Sequence, residues 1–256
     1  MRKLSGSAAS PGDHSSAKNV DFDEEGRALW ARLNLDKSLQ GGRHWNALDP
    51  IWKHPTTGGT IYVGNQSAAE NLKMLQSKGI THVVNCTAGQ ASSQIPNYHE
   101  RTLRYYRFPI SYWSNYVRPN DDASVQAFLN PVFEFIDSAT NNGDSVLVHC
   151  LAGAHRAGTT GILCLMNYAD LDPTSATRLA KQCRAVIDPI AHLPELMHRF
   201  HRIKQNTRDS AAGEMKERKR EIVTISSSSS PPRKASDSSS ATKLGKSASA
   251  ILRDKT

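Results

Sequence analysis

The sequence predicts an α/β fold: a central, mostly parallel sheet of about five strands flanked by helices. Three observations carry this. Short β-rich runs at Thr60 to Val63, Thr81 to Cys86, Tyr105 to Pro109 and Val146 to Val148 alternate with stretches of helical periodicity. Such alternation needs crossover connections, which run strands in parallel and lay helices on the sheet faces. The Val146 strand leads into a turn carrying Gly153 and then a helical apolar pattern at Ile162, Leu163, Leu165 and Met166.

The chain divides by composition. Its 256 residues suffice for one domain with a core plus tails. Residues 1–22 are rich in Ser, Ala, Gly and Pro and are expected to be a disordered tail. Residues 23–44 form a helical extension, with a helix expected over Asp23 to Leu39, Leu29, Trp30, Leu33 and Leu35 on one side, and Gly41-Gly42 as its stop. No chemistry is legible in this extension; it either packs on the domain or binds a partner.

The main domain spans residues 45–206. A helix is expected over Ser67 to Lys78, periodic at Ala68, Leu72 and Leu75 and closed by Gly79. Another covers Ser124 to Ala139, with Val125, Phe128, Leu129, Val132, Phe133 and Ile136 on one face; Pro131 asks for a kink or a restart. Asn142-Gly143 turns the chain into the Val146 strand. Helices follow over Ala157 to Ala169, Pro173 to Cys183 and Leu193 to Lys204. Residues 207–256, with the serine run Ser226 to Ser230, have too little apolar surface to offset their ordering entropy and are expected to be a disordered basic tail.

A net charge of +8 suits anionic partners. Much of the basic charge lies in the tail, which argues against nucleic acid. Cys86, Cys150, Cys164 and Cys183 have neither disulfide-framework nor metal-ligand spacing, so a reducing compartment is expected, cytoplasmic or also nuclear. The first residues lack the apolar core of a secretory signal, and no run approaches the roughly 20 apolar residues of a membrane span.

The stretch from His149 to Arg156 carries the chemistry. A strand, a tight loop and a helix N-terminus aim backbone N–H groups at one spot, where the helix dipole also favours negative charge. Such a loop stabilises a thiolate, and an arginine holds phosphate with two parallel hydrogen bonds. The pattern His149-Cys150-x-x-Gly153-x-x-Arg156 resembles the signature of the cysteine-dependent protein phosphatases, most closely the dual-specificity branch. The resemblance runs over Leu48 to Ile203, through Ile61 to Asn65, Gly79 to Asn85, Phe133 to Asp137 and Arg184 to Ile187 in the family's order.

The resemblance implies a protein tyrosine phosphatase-like fold, no cofactor, no metal, and phosphoprotein substrates. Phosphotyrosine and phosphoserine/phosphothreonine would be hydrolysed through a phosphocysteine. Cys150 would be the nucleophile. The backbone amides of Leu151, Ala152, Gly153, Ala154, His155 and Arg156, with the Arg156 side chain, would clamp the phosphate. His149 would hold the loop and help lower the pKa of the thiol. The side chain of His155 would face either substrate or solvent.

Several positions depart from the family pattern. The general acid is an aspartate shortly beyond a proline like Pro109, but Ser111 and Tyr112 stand there. Asp121 and Asp122 come later; either reaches the site as the acid, or one N-caps the following helix. The residue after the arginine is usually Ser or Thr, whose hydroxyl supports departure of the thiolate, and here it is Ala157. Tyr112, Trp113 and Tyr116 either wall the pocket or pack on the domain. Cys86 is either a redox partner of Cys150 or a small buried hydrophobe.

The apolar Leu151, Ala152 and Ala154 favour phosphoprotein over phosphoinositide. Residues 216–225, basic and then apolar, resemble docking peptides for mitogen-activated protein kinases and also nuclear import signals; a solvated helix end is the plain reading. Two other functions stay open. One is a phosphate-binding pseudophosphatase, favoured by the absent acid and Ala157. The other is a phosphatase acting on phosphoinositide or RNA, supported by the basic charge alone.

Overall fold

A computed structural model describes residues 20–33, 46–87 and 95–228 of the chain. Most of the expected N-terminal tail, the helix candidate beyond Leu33, and the tail from residue 229 lie outside the described residues. The chain divides into two units, Met1–Arg208 and Asp209–Thr256.

The first unit is built on a five-stranded sheet of order β1-β2-β5-β3-β4. Strand β5, Ser145–His149, is central and buried at every residue. It runs parallel to β2, Thr60–Gly64, on one side and to β3, Ile80–Asn85, on the other. Strand β4, Arg104–Arg107, continues the parallel set beyond β3. The antiparallel β1, Leu48–Lys53, pairs with β2 at the opposite edge. The register shifts between Pro50 and Trp52, and an edge strand is where a proline without an N–H is tolerated.

Alternation along the strands creates two apolar layers. Ile61, Val63, Val84, Val146 and Val148 enter the main core with α5, Asp122–Thr140, and α6, Arg156–Tyr168. Val83 and Leu147 point the other way, toward Ala68, Ala69 and Leu75. Those residues belong to two short helices, α2 (Gln66–Glu70) and α3 (Leu72–Ser77), where one was expected. The break is at Asn71, whose side chain accepts from the Met74 N–H at 3.0 Å and so starts a new helix.

Other boundaries differ for local reasons. Helix α5 runs through Pro131 without restarting. Pro131 and Ala127, whose carbonyl loses its helical donor, are both exposed, so water can substitute. The segment after β4 is a 3₁₀ turn, Ile110–Tyr112, followed by α4, Trp113–Tyr116, and not an open loop. Helix α7, Pro173–Cys183, has the bounds expected. Helix α8, Leu193–Ser228, continues well past Lys204 into what was expected to be tail, where Ala211, Ala212, Glu214, Met215 and Lys216 are good helix formers. Every residue from 205 to 220 is exposed.

Gly161 brings α6 close to the sheet. A Cβ there would lie 2.7 Å from Val63 Cγ2 and 2.9 Å from Ile51 Cδ1. Its absence lets the helix rest on β1 and β2, with its N-terminus at the C-terminal end of β5, where open parallel sheets bind ligands. Among the described residues no helix is long and apolar enough to cross a membrane.

Candidate active site

The turn between β5 and α6 is shaped from outside. Gly153 sits at φ 68°, and a Cβ there would be 2.5 Å from the Gly64 carbonyl oxygen, so only glycine fits. The loop carbonyls are each claimed by a donor. Leu151 O accepts from Gln66 N–H at 2.9 Å, and Ala154 O from Asp188 N–H at 3.1 Å. Ala152 O and Gly153 O both accept from the Arg184 guanidinium, at 3.2 and 3.0 Å. A planar trans peptide points its N–H opposite its C=O. Carbonyls drawn outward therefore turn the amides of Ala152 through His155 toward the opposite side of the loop, where they can receive an anion together with the start of α6.

Arg184 is the functional residue the sequence reading did not single out. It is buried, and its remaining donors reach Asp49 Oδ2 at 2.7 Å and the Asn46 carbonyl at 2.9 Å. Burial pulls its pKa down, while Asp49 supports the charge. The available signal was an arginine just before the apolar Ala185-Val186-Ile187: a cation buried there must have partners.

Cys150 and Arg156 are brought together, but the site is closed. Cys150 is 3% exposed and Arg156 1%. The guanidinium is paired with the Asp23 carboxylate, itself 1% exposed, on helix α1, Phe22–Leu33. Burial opposes the charge on Arg156, but Cys150 and Asp23 outweigh it, and the pKa is raised. Phe22 lies edge-on to His192 at 5.5 Å and 6.0 Å from the guanidinium carbon. The extension for which the sequence offered no chemistry thus sits on Arg156.

The other candidates fall elsewhere. His149 is fully buried, and burial pushes its pKa down to about 3, with the Cys150 backbone opposing only in part. Neither ring nitrogen has a hydrogen bond of normal geometry among the described residues. Burial therefore disfavours a positive charge on the imidazole, so any help it gives the thiol would come through the loop it holds and not through a charge of its own. His155 faces neither substrate nor solvent: its Nδ1 is 2.7 Å from the Asp188 carbonyl.

Asp121 is the N-cap of α5, accepting from the Ser124 N–H at 3.2 Å, and it also pairs with Arg118. Asp122 pairs with Arg202 at 3.4 Å. Both aspartates are thus engaged at the start of α5. Trp113 is buried and donates its Nε1–H to the His192 carbonyl at 3.2 Å, while Tyr116 is largely exposed.

Thr159 and Thr160 donate their hydroxyl protons back to the carbonyls of His155 (2.7 Å) and Arg156 (3.0 Å), so neither hydroxyl proton is left for Cys150. Cys86 lies beside strand β5, its N–H on the His149 carbonyl at 2.8 Å and its sulfur 3.4 Å from Thr160 Oγ1. Burial pushes its thiol up to about 12.

This geometry agrees with the comparisons. The family model "Dual specificity phosphatase, catalytic domain" matches residues 61–202, more than half of the chain. The chain belongs to the dual specificity phosphatase family. It is 32% identical over 129 residues to dual specificity protein phosphatase 1 of Homo sapiens, covering 50% of this chain and 32% of that protein. To dual specificity protein phosphatase 2 of Mus musculus it is 33% identical over 129 residues, covering 50% and 37%. The match thus spans about a third of the length of these relatives. Among solved structures, human DUSP28 aligns at 21% identity with a TM-score of 0.47, covering 62% of this chain and 96% of that one. The human tyrosine phosphatase-like serine/threonine/tyrosine-interacting protein aligns at 22% with a TM-score of 0.48, covering 62% and 97%.

Two outcomes follow for this family member. Arg184→Met should lower stability by about 3 kcal/mol, because it strands Asp49 in a buried position. The loss should shrink when Asp49→Leu is already present; equal losses in both backgrounds, measured by urea denaturation, would contradict the coupling. The second concerns acid. The folded pKa of His149, about 3, lies below its ordinary 6.5. The unfolded chain therefore binds the proton first, and stability falls as pH drops from about 6.5 toward 3. His149→Leu should flatten that decline; parallel pH–stability curves would refute it.

Proposed function

We propose that the chain is a protein phosphatase that cleaves phosphotyrosine and phosphoserine/phosphothreonine esters of phosphoproteins through a phosphocysteine. The observation that carries this reading is the cradle: Cys150 at the end of a central strand, a loop with its carbonyls tied outward, and Arg156 beside the sulfur. In the first step the Cys150 thiolate attacks phosphorus and an S–P bond forms. The P–O ester bond breaks, and the leaving oxygen keeps the electron pair and is protonated by water. Charge on the other phosphoryl oxygens is met by the loop amides and the guanidinium. Water then attacks phosphorus, the S–P bond breaks, and orthophosphate and thiolate result.

Either Asp121 or Asp122 was a candidate proton donor, with N-capping the alternative, and their cap and ion pairs favour the alternative. Leaving groups then matter: a phenol, with a pKa of about 10, departs unaided more readily than an aliphatic alcohol. Phosphotyrosine should therefore be turned over faster than phosphoserine or phosphothreonine.

The second step lacks a hydroxyl donor, since Ala157 stands after Arg156 and the hydroxyl protons of Thr159 and Thr160 are committed. Mixing enzyme with a chromogenic aryl phosphate should give a burst followed by a slower steady rate. Ala157→Ser should raise the steady rate severalfold and leave the burst rate unchanged. Cys150→Ser should abolish the burst. A burst that persists in Cys150→Ser would remove the mechanism. The absent acid together with Ala157 favours a second reading, a phosphate-binding pseudophosphatase, which predicts neither burst nor turnover.

We further propose that residues 216–225 dock a kinase substrate. Residues 216–220 are exposed on α8, as this requires. Reversing the charge of Lys216, Arg218, Lys219 and Arg220 should weaken binding of a mitogen-activated protein kinase in fluorescence titration; unchanged affinity would dispose of it.

A further inference from the structure

We propose that α1 is a built-in pseudosubstrate, with the Asp23 carboxylate standing where the phosphoryl group of a substrate binds. This rests on the phosphatase reading and concerns regulation of the same site.

The position of Asp23 is the first argument. Its partner is the Arg156 guanidinium, the group placed to clamp phosphate. With both side chains buried to 1%, no substrate anion reaches the guanidinium while the pair holds. A carboxylate offers the same bidentate pattern of acceptor oxygens as a phosphate, with less charge.

The rest of the helix is the second argument. Phe22, Asp23, Gly26 and Leu29 are buried and Trp30 half-buried, the i, i+1, i+4, i+7, i+8 face of one helix. That face covers the loop itself. Leu29 packs in a cluster with Ala152, Ala154 and Val186. Gly26 lies so close to the loop that a Cβ would be 3.2 Å from Leu151 Cδ2. Phe22 reaches past the arginine to His192. Outward-facing Asp21 caps the helix, its Oδ1 accepting from the N–H groups of Asp23 (2.9 Å) and Glu24 (3.1 Å).

The closure is also built to open. Helix α1 has 12 residues, a length at which isolated helices are marginal, and Gly26 in its interior weakens it further. Its buried ion pair must repay the desolvation of both charges, so it holds the helix less firmly than its burial suggests. A cleft of about 400 Å³ between Arg27, Trp30, Gln66, Glu70 and Leu151 leaves one edge of the helix unpacked. A phosphate ester, carrying more charge, competes for the same guanidinium.

The test uses the full chain with Asp23→Ala or Gly26→Leu. The second variant favours the helix but drives a side chain against Leu151, so it should loosen α1 without changing either residue of the ion pair. Alkylation of Cys150 by iodoacetamide and kcat/KM for an aryl phosphate should both rise about tenfold, in proportion to the open fraction. A synthetic peptide of residues 20–33 added to either variant should slow both again. Unchanged alkylation in both variants would overturn the proposal. So would Asp23→Asn lowering kcat with alkylation unaltered, since Asp23 would then be supplying a proton. Faster alkylation with no turnover in any variant would uphold the closure and remove the phosphatase reading instead.

Discussion

The site depends on one constraint: the carbonyls of the loop after β5 must face outward. Backbone groups do not choose a side by themselves, and a loop of six residues has many ways to close. Arg184 decides it by holding two successive carbonyls, with the amides of Gln66 and Asp188 holding the carbonyls on either side. A buried arginine can do this only because Asp49 on the edge strand balances its charge. The short antiparallel strand at the sheet edge thus has a part in the chemistry, although it contributes nothing that would touch a substrate.

A cradle assembled in this way has a lasting demand for negative charge. Arg156 is buried, and burying a guanidinium without an anion nearby would be costly. The Asp23 carboxylate meets that demand in the closed protein. The same electrostatics would recognise a phosphate, which is the basis for reading α1 as a stand-in for it. The neutral, buried His149 fits this picture, since its positive charge would have added to a site already held by one cation.

Much of the architecture was legible because it follows from periodicity. Strands near 60, 81, 105 and 146 form as expected, with helices after the first, third and fourth, and the glycine-punctuated turn leads into α6. The misses have local causes. Asn71 prefers capping to continuing a helix, Pro131 is tolerated on a solvent face, and α8 outruns its expected end on helix formers alone. The carboxylates Asp121 and Asp122 illustrate a different limit. Distance along the chain from Cys150 allowed either to be an acid, yet a cap and an ion pair took them first.

What the amino-acid order determined by itself was the local chemistry: a thiol and a guanidinium six residues apart, between a buried strand and a helix start. That spacing lets the two groups meet once the loop between them closes. Only the tertiary structure decided which groups surround them. Arg184, Asp49 and Asp23 come from 28 or more positions away, and no pattern in the sequence encodes those meetings. They arise because a buried charge or carbonyl must find its partner wherever packing brings one, and packing is settled by the whole fold.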